Sequence, residues 1–249
     1  LTASNIFDSV NYQQDKRKKG RKPMPIKTLI NTAALEAVSL FASKDSDRFE
    51  LFFVFCDVLP DETRLVSSNG EAMSVYRLPQ KNKKTGQFLI PVDLVKMLKV
   101  QKLASCDLSI EGNILQVFRS YSNDGDHPVC SLSSEGNFGV FPKYLKLFPQ
   151  EISWEQAEYN PEMMLKFAKA AKIMTPKKFR GSEEEFHSLC ELCQNGEKPA
   201  LVRAVHDANF TGVIMPYKNT IYDQRSEVKI DYWWREQSGE TTKEAKGKI

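Results

Sequence analysis

The residues in this chain best placed to do chemistry are His187, Cys190 and Cys193, in the stretch His-Ser-Leu-Cys-Glu-Leu-Cys. An imidazole and two thiolates at that spacing can hold zinc. No fourth ligand is evident, however, and Cys-x-x-Cys metal sites usually sit at turns. The run from Ser182 to Cys193 instead reads as a capped helix whose Phe186, Leu189, Cys190 and Cys193 form an apolar stripe. Neither a metal nor any other cofactor is expected. Catalysis is poorly supplied as well, with His127, His187 and His206 as the only histidines. The sequence has no Gly-rich phosphate loop, no His-Glu-x-x-His and no Gly-x-Ser-x-Gly. A non-enzymatic protein is expected, so its chemistry must be recognition.

Two groups of residues suit recognition. The first is the stretch TRLVSSNGEAMSVYRL, residues 63–78, which reads as two strands joined at Ser68-Asn69-Gly70 by a type I′ turn with positive φ at Asn69 and Gly70. The second is lysine. Lys96, Lys99 and Lys102 recur at three-residue spacing on one predicted helix, and Lys166, Lys169 and Lys172 do so on another, which keeps each trio close to one face. Such a face suits phosphate contacts that do not read bases. Six of the seven residues from Lys16 to Lys22 are also Lys or Arg, in a solvated run closed by Pro23 and Pro25.

Placement has to supply any basic surface, because the 249 residues carry 35 basic and 32 acidic side chains for a net charge of +3. At 41% hydrophobic and 27% charged, the chain can bury two ordinary cores. Five cysteines without a disulfide-framework spacing fit a reducing compartment, and a cytoplasmic location is expected. The opening LTASNIFDSVNYQQ lacks the features of a signal peptide, and no apolar run approaches a membrane span, so no membrane partner is expected. The chain begins at Leu1 rather than Met, which suggests a processed chain or a piece of a longer one.

The pattern becomes regular at Ile26. Helical periodicity and alanine content predict a helix over 29–42, and RFELFFVFCDVL predicts a strand covered on both faces. The hairpin follows, then the polar loop KNKKTG, then QFLIPVDLVKMLKV as a strand handing over at Pro91 to a second helix near 91–101. Two strands around Gly112-Asn113 and a further one in HPVCSLSSEGNFGVF complete a repeat of strand, helix and strands. At the C-terminus, Tyr232, Trp233 and Trp234 are expected to pack back on the second domain, and the composition after Glu236 is that of a disordered tail. The expected organisation is a basic N-terminal tail (1–25), a domain of two halves (26–149), a reduced second domain (150–236) and the tail (237–249).

With these motifs in order, residues 26–149 resemble the middle domain of the bacterial DNA polymerase III β sliding clamp. The features that carry the likeness are the helix in LINTAALEAVSLFAS, the hydrophobic strand, the glycine hairpin RLVSSNGEAMSVY and the segment FPKYLKLFP. Beyond Pro149, MLKFAKAAKIMTPKKFRG is similar to the first helix of the clamp's last domain, or YNPEMMLKFAKAAKIM to its second. PALVRAVHDANFTGVIMPY is similar to its final strands. The resemblance implies an α+β, DNA-clamp-like fold, with repeated strand-helix-strands halves and helices on one side of antiparallel sheets.

The same resemblance implies function. It points to a processivity factor that binds double-stranded DNA without sequence preference. It also implies a groove for the peptides of a DNA polymerase or other clamp-binding proteins, a clamp loader and a homo-oligomer; three copies of a two-domain chain would close a six-domain ring. The alternative is a clamp-fold binding module for a replication or repair protein that does not encircle DNA. Carried over by motif, the groove comprises Leu51, Ser68, Gly70, Met73, Pro142, Leu147, Val213, Met215 and Pro216. Gly70 would admit a ligand backbone, the Ser68 hydroxyl would meet a peptide amide, and a half-exposed Met73 with Met215 would give adaptable apolar contact. The family's DNA-touching loop is matched at Arg48, while Glu71 and Ala72 occupy hairpin-turn positions where the family commonly has a basic pair or His-Arg.

Overall fold

The computed structural model describes residues 25–112, 114–119, 128–133, 141–175, 189–205 and 207–217. The basic N-terminal run, all three histidines, the Tyr232-Trp233-Trp234 cluster and the C-terminal tail lie outside the described residues.

The first strand, β1 (Ile26–Asn31), takes the first three residues, 29–31, of the stretch where a helix is predicted. Its side chains alternate between exposed and buried from Lys27 to Asn31, the period of a strand. Helix α1 (Thr32–Ser39) starts only where Asn31 can cap it, its side chain accepting from the Ala33 and Ala34 amides. A short 3-10 segment (Ser46–Leu51) leads to β2 (Phe53–Val58), β3 (Glu62–Ser68) and β4 (Ala72–Pro79). The order then repeats as β5 (Gly86–Pro91), α2 (Val92–Val100), β6 (Ser105–Glu111), β7 (Ile114–Arg119) and β8 (Cys130–Ser133). Pro91 is the extended cap of α2, as expected at that handover.

The two halves exchange their first strands. β1 pairs with β6 in a four-stranded sheet, β1-β6-β7-β8, while β5 pairs with β2 beside β3 and β4. A second 3-10 segment (Tyr144–Leu147) and helix α3 (Pro161–Met174) precede β9 (Cys190–Cys193), β10 (Ala200–Ala204) and β11 (Phe210–Ile214). These three strands extend the second sheet through β4 to give the order β5-β2-β3-β4-β11-β10-β9, antiparallel throughout. From α3 onward the described elements are a helix and a three-strand meander, the pattern of α2-β6-β7-β8.

Three apolar clusters hold this together. Ala34, Leu35 and Val38 of α1 and Leu94, Val95 and Leu98 of α2 share one core with residues of both sheets, so the two helices lie on the same side of the strands. Ala37 and Phe41 belong to a second core with Met163, Phe167 and Ala170 of α3 and with Phe210 and Ile214. The Phe41 and Phe167 rings lie 4.6 Å apart. Gly212 makes this approach possible, because a Cβ there would sit 2.2 Å from Phe167 Cε1 and 2.8 Å from the Met73 carbonyl oxygen. The third cluster lies on the opposite, outer face of the seven-stranded sheet and contains Leu51, Phe55, Val66, Met73, Val75, Phe141, Tyr144 and Val213. β2 is buried at every position, as its continuous apolar run predicts.

Candidate functional site

The β3–β4 turn is wider than a two-residue type I′ connection. Ser68 is paired with Met73, leaving four residues between them, and the Asn69 amide donates to the Ala72 carbonyl at 3.2 Å. Gly70 has φ +91°, whereas Asn69 is not among the residues with positive φ. Asn69 instead works through its side chain, Oδ1 accepting from the Glu71 and Ala72 amides at 3.2 and 2.9 Å. The Ser68 hydroxyl donates to Ala72 O and accepts from the Gly70 amide, both at 3.1 Å. It is spent inside the turn rather than offered to a ligand.

The turn is held from two sides. Arg48 Nη1 donates to Asn69 O at 3.2 Å and lies where a Cβ on Gly70 would be, 1.9 Å away. Gly70 therefore admits the chain's own guanidinium, and Arg48 is committed to the hairpin. On the other side, Glu71 O accepts from the Met215 amide at 2.8 Å, and Glu71 Oε2 accepts from Asn160 Nδ2 at 3.2 Å. Asn160 is the cap of α3, so Glu71 places negative charge at the positive end of that helix. The departure from a basic residue at this position thus has a structural role.

Of the apolar residues predicted for a groove, Leu51, Met73 and Val213 come together in the outer cluster, with Leu147 packed against it. They do not line an open groove. Met73 is 2% exposed and Val213 3%, against 41% for Met215; Pro142 and Pro216 are half-buried. The expectation of a half-exposed Met73 is corrected by its burial in the outer cluster, which Phe141 and Tyr144 also join. Phe141 stacks on Phe55, ring centroids 4.8 Å apart and planes within 3°, and Tyr144 meets the same ring edge-on.

Tyr144 is the residue missed by the sequence reading, although it stands in the FPKY motif. Its hydroxyl donates to Asp57 Oδ2 at 2.8 Å and accepts from Arg64 Nη1 at 3.2 Å. Arg64 and Arg77 in turn grip the two oxygens of Glu62. Burial, with the Asp57 carboxylate opposed by Arg64, pushes the Tyr144 phenol up to about 12. An open cleft of about 290 Å³ adjoins this cluster, between residues 146–151 and Asn195, Lys198 and Pro199.

The lysines lie on the helix side. α1 touches both α2 and α3, and the buried faces of α2 and α3 turn their lysines away from the strands. Lys96 is tied to Asp93 at 2.7 Å and Lys99 to Glu36 of α1 at 2.6 Å. Lys102 ends the α2 turn with φ 54°. Lys166 is half-buried, and that burial lowers its pKa. Lys169 and Lys172 are exposed and carry no ion pair among the described residues.

The Cys-x-x-Cys stretch is strand β9, not a helix, in register with β10 from Cys190↔Ala204 to Cys193↔Leu201. Residues three apart on a strand face opposite ways. Cys190 Sγ contacts the Phe167 carbonyl at 3.7 Å, and Cys193 is buried. Among the described residues there is no group of His, Cys, Asp or Glu able to hold a metal ion, and no helix is long and apolar enough to cross a membrane.

Compared with solved structures, this architecture is similar to bacterial DNA polymerase III β subunits. One is that of Borrelia burgdorferi, in complex with a natural product, at TM-score 0.54 and 14% identity over 82% of this chain and 67% of that one. Another is a putative β subunit of Eubacterium rectale, at TM-score 0.55 and 9% identity over 82% and 68%. A third is the DNA polymerase sliding clamp of Pseudomonas aeruginosa, with ligand, at TM-score 0.53 and 14% identity over 80% and 68%. No family model matches the sequence. No curated protein matches it either. The chain has the sliding-clamp fold; at these identities the likeness is one of fold.

Proposed function

We propose that this chain is a non-enzymatic, sliding-clamp-like processivity factor that holds duplex DNA through its helix layer and recruits a DNA polymerase or other replication proteins. The observation that carries this reading is the layer itself. α2, α1 and α3 bury their apolar faces against the strands and together carry five lysines against three carboxylates, with Lys102 added at the end of α2. Lysines on rigid helices neutralise phosphates without reading bases, as sliding requires. Residues 150–236 form the reduced second domain, and homo-oligomerisation, assisted by a clamp loader, supplies the rest of a ring.

The test is anisotropy of a labelled 30-base-pair duplex between about 50 and 200 mM salt. Binding should be equal for unrelated sequences and fall steeply with salt. K169E/K172E should flatten the log–log salt slope by roughly 2. Binding with no salt dependence, or one indifferent to these lysines, would defeat the proposal. One observation favours a second reading, a clamp-fold module that does not encircle DNA: Lys96 and Lys99 are held in ion pairs. Retention on circular but not linearised DNA selects the ring.

A further inference from the structure

Five strand ends meet at the end of the sheets opposite the Ser68–Met73 hairpin. β1 begins there at Ile26, β2 ends at Val58, β3 begins at Glu62, β4 ends at Pro79 and β5 begins at Gly86. The polar loop of residues 80–85 is pinned among them. Gln80 Nε2 donates to Thr28 Oγ1 at 2.7 Å, to Thr63 Oγ1 at 2.8 Å and to Leu29 O at 3.1 Å. Asn82 Nδ2 donates to Leu59 O at 2.7 Å, and the Asn82 amide to Pro60 O at 2.9 Å. Gln80 and Asn82 thus turn their amides inward, and the alternate residues Lys81 and Lys83 are left exposed.

More positive charge gathers at the same place. Lys27 is exposed on β1, one residue past Ile26, whose Cδ1 lies 2.3 Å from where a Cβ on Gly86 would be. The carboxylates nearby are Asp61, paired with Lys81, Glu62, gripped by Arg64 and Arg77, and Glu111, which follows the register partner of Ile26. The basic run Lys16–Lys22 is tethered here by the chain itself, since the four residues from Lys22 to Ile26 reach at most about 14 Å. Neither the run nor the loop contains an apolar or aromatic side chain. Single-strand binding draws on aromatic stacking, and membrane anchoring on apolar insertion beside the charge. Charge alone suits the phosphate backbone of a duplex, with one negative charge per about 1.7 Å of axis.

Building on the reading that this chain holds duplex DNA, we infer that Lys27, Lys83 and the run Lys16–Lys22 form a second duplex-binding surface at these strand ends, outside the helix layer. DNA is held there by phosphate contacts alone. Helices α1 and α2 begin about 17 Å farther along the strands, after Asn31 and Pro91, so the two surfaces are separate.

The test is the salt dependence of binding to the labelled 30-base-pair duplex, read by anisotropy on the full chain between about 50 and 200 mM salt. K27E/K83E, with an unchanged melting temperature, should flatten the log–log slope by roughly 2, and K18E/K19E should flatten it likewise. K146E/K198E makes the same change of charge at exposed lysines of the open cleft and should keep the wild-type slope. K27E/K83E/K169E/K172E should lose roughly 4, the sum for two separate surfaces. A wild-type slope in K27E/K83E or K18E/K19E, or an equal flattening in K146E/K198E, would overturn the inference. Loss of dT30 or phosphatidylserine-vesicle binding in K27E/K83E with duplex binding intact would also overturn it, by assigning the lysines to that partner. If K169E/K172E is silent while K27E/K83E flattens the slope, the helix-layer reading fails and this surface stands.

Discussion

Both faces of the seven-stranded sheet bury an apolar cluster, but by different chemistry, and the outer face is covered only around Met73, with Arg77 and Arg203 exposed beyond it. On the helix side, Ala34, Ala37, Ala170 and Ala171 let α1 and α3 lie close to the strands, and the closure is spread over three helices. On the outer side one short segment does the covering, through a stacked phenylalanine pair and a tyrosine bound to Asp57 and Arg64. Burial spread over many aliphatic contacts tolerates a local change; burial under one polar-anchored strap depends on few residues. The difference also explains why Met73 is core while Met215, two residues past its partner Val213, remains accessible.

Met73→Glu is the strongest way to break this contrast. A carboxylate at this buried position of the apolar outer cluster is desolvated, and the change should cost about 3 kcal/mol or more, lowering the melting temperature by about 10 °C. Met215→Glu should stay within about 2 °C. Equal melting of the two variants would mean that the outer face is open in solution.

Tyr144→Phe sharpens the comparison at intermediate size. It leaves Asp57 Oδ2 and Arg64 Nη1 each short of a partner, a loss of about 1–2 kcal/mol by denaturant midpoint. The wild-type phenol, raised from 10 to about 12 by burial and Asp57 against the opposing Arg64, stabilises the fold fully below pH 10 and loses that contribution as pH rises through 12. The alkaline arm of the stability profile should therefore flatten in Tyr144→Phe. An unchanged arm would show that the strap is not held by this hydrogen bond.

The smallest effect is on Glu62. Burial pushes its carboxyl up, but hydrogen bonds and charge from Arg77 and Arg64 outweigh burial and hold it below the ordinary 4.5. A depressed carboxylate gives stability that is present above 4.5 and lost as pH falls through the folded value. The gap between wild type and Glu62→Gln, roughly 0.5–1 kcal/mol at pH 6, should close on acidification toward pH 3. A constant gap would place the effect in packing rather than charge.

Much of the fold was legible because period and punctuation agreed. β2 announced burial on both faces through its unbroken apolar run, Pro91 marked the start of α2, and Gly112 separated β6 from β7. The repeat of strand, helix and strands carried the resemblance whose fold the structure shares. Reading failed where a partner distant in sequence decides. Ile26–Asn31 looks helical beside TAALEAVS but is captured by β6. Cys190–Cys193 has an apolar stripe at helical spacing but pairs with β10. For the site, the resemblance implied Leu51, Met73, Leu147 and Val213 as neighbours, and they share one apolar cluster. Nothing in the sequence says that Phe141 would join that cluster, since its stacking on Phe55 depends on how the 141–149 segment returns to the sheet.

The β4–β11 pairing has a consequence in time. During synthesis β4 is complete long before residues 210–214 leave the ribosome, an interval of roughly ten seconds at ordinary elongation rates. Throughout it, the row of backbone donors and acceptors that will meet Phe210–Ile214 is an open template for a neighbouring nascent chain. The far end of β4 carries Arg77 and Pro79, a charge and a residue that cannot donate, and both discourage such pairing. The near end is protected otherwise, because the Asn69–Ala72 turn closes on itself and on Arg48 using residues made earlier in the chain. The strand thus waits with both ends guarded, and only its middle has to be shielded until β11 arrives.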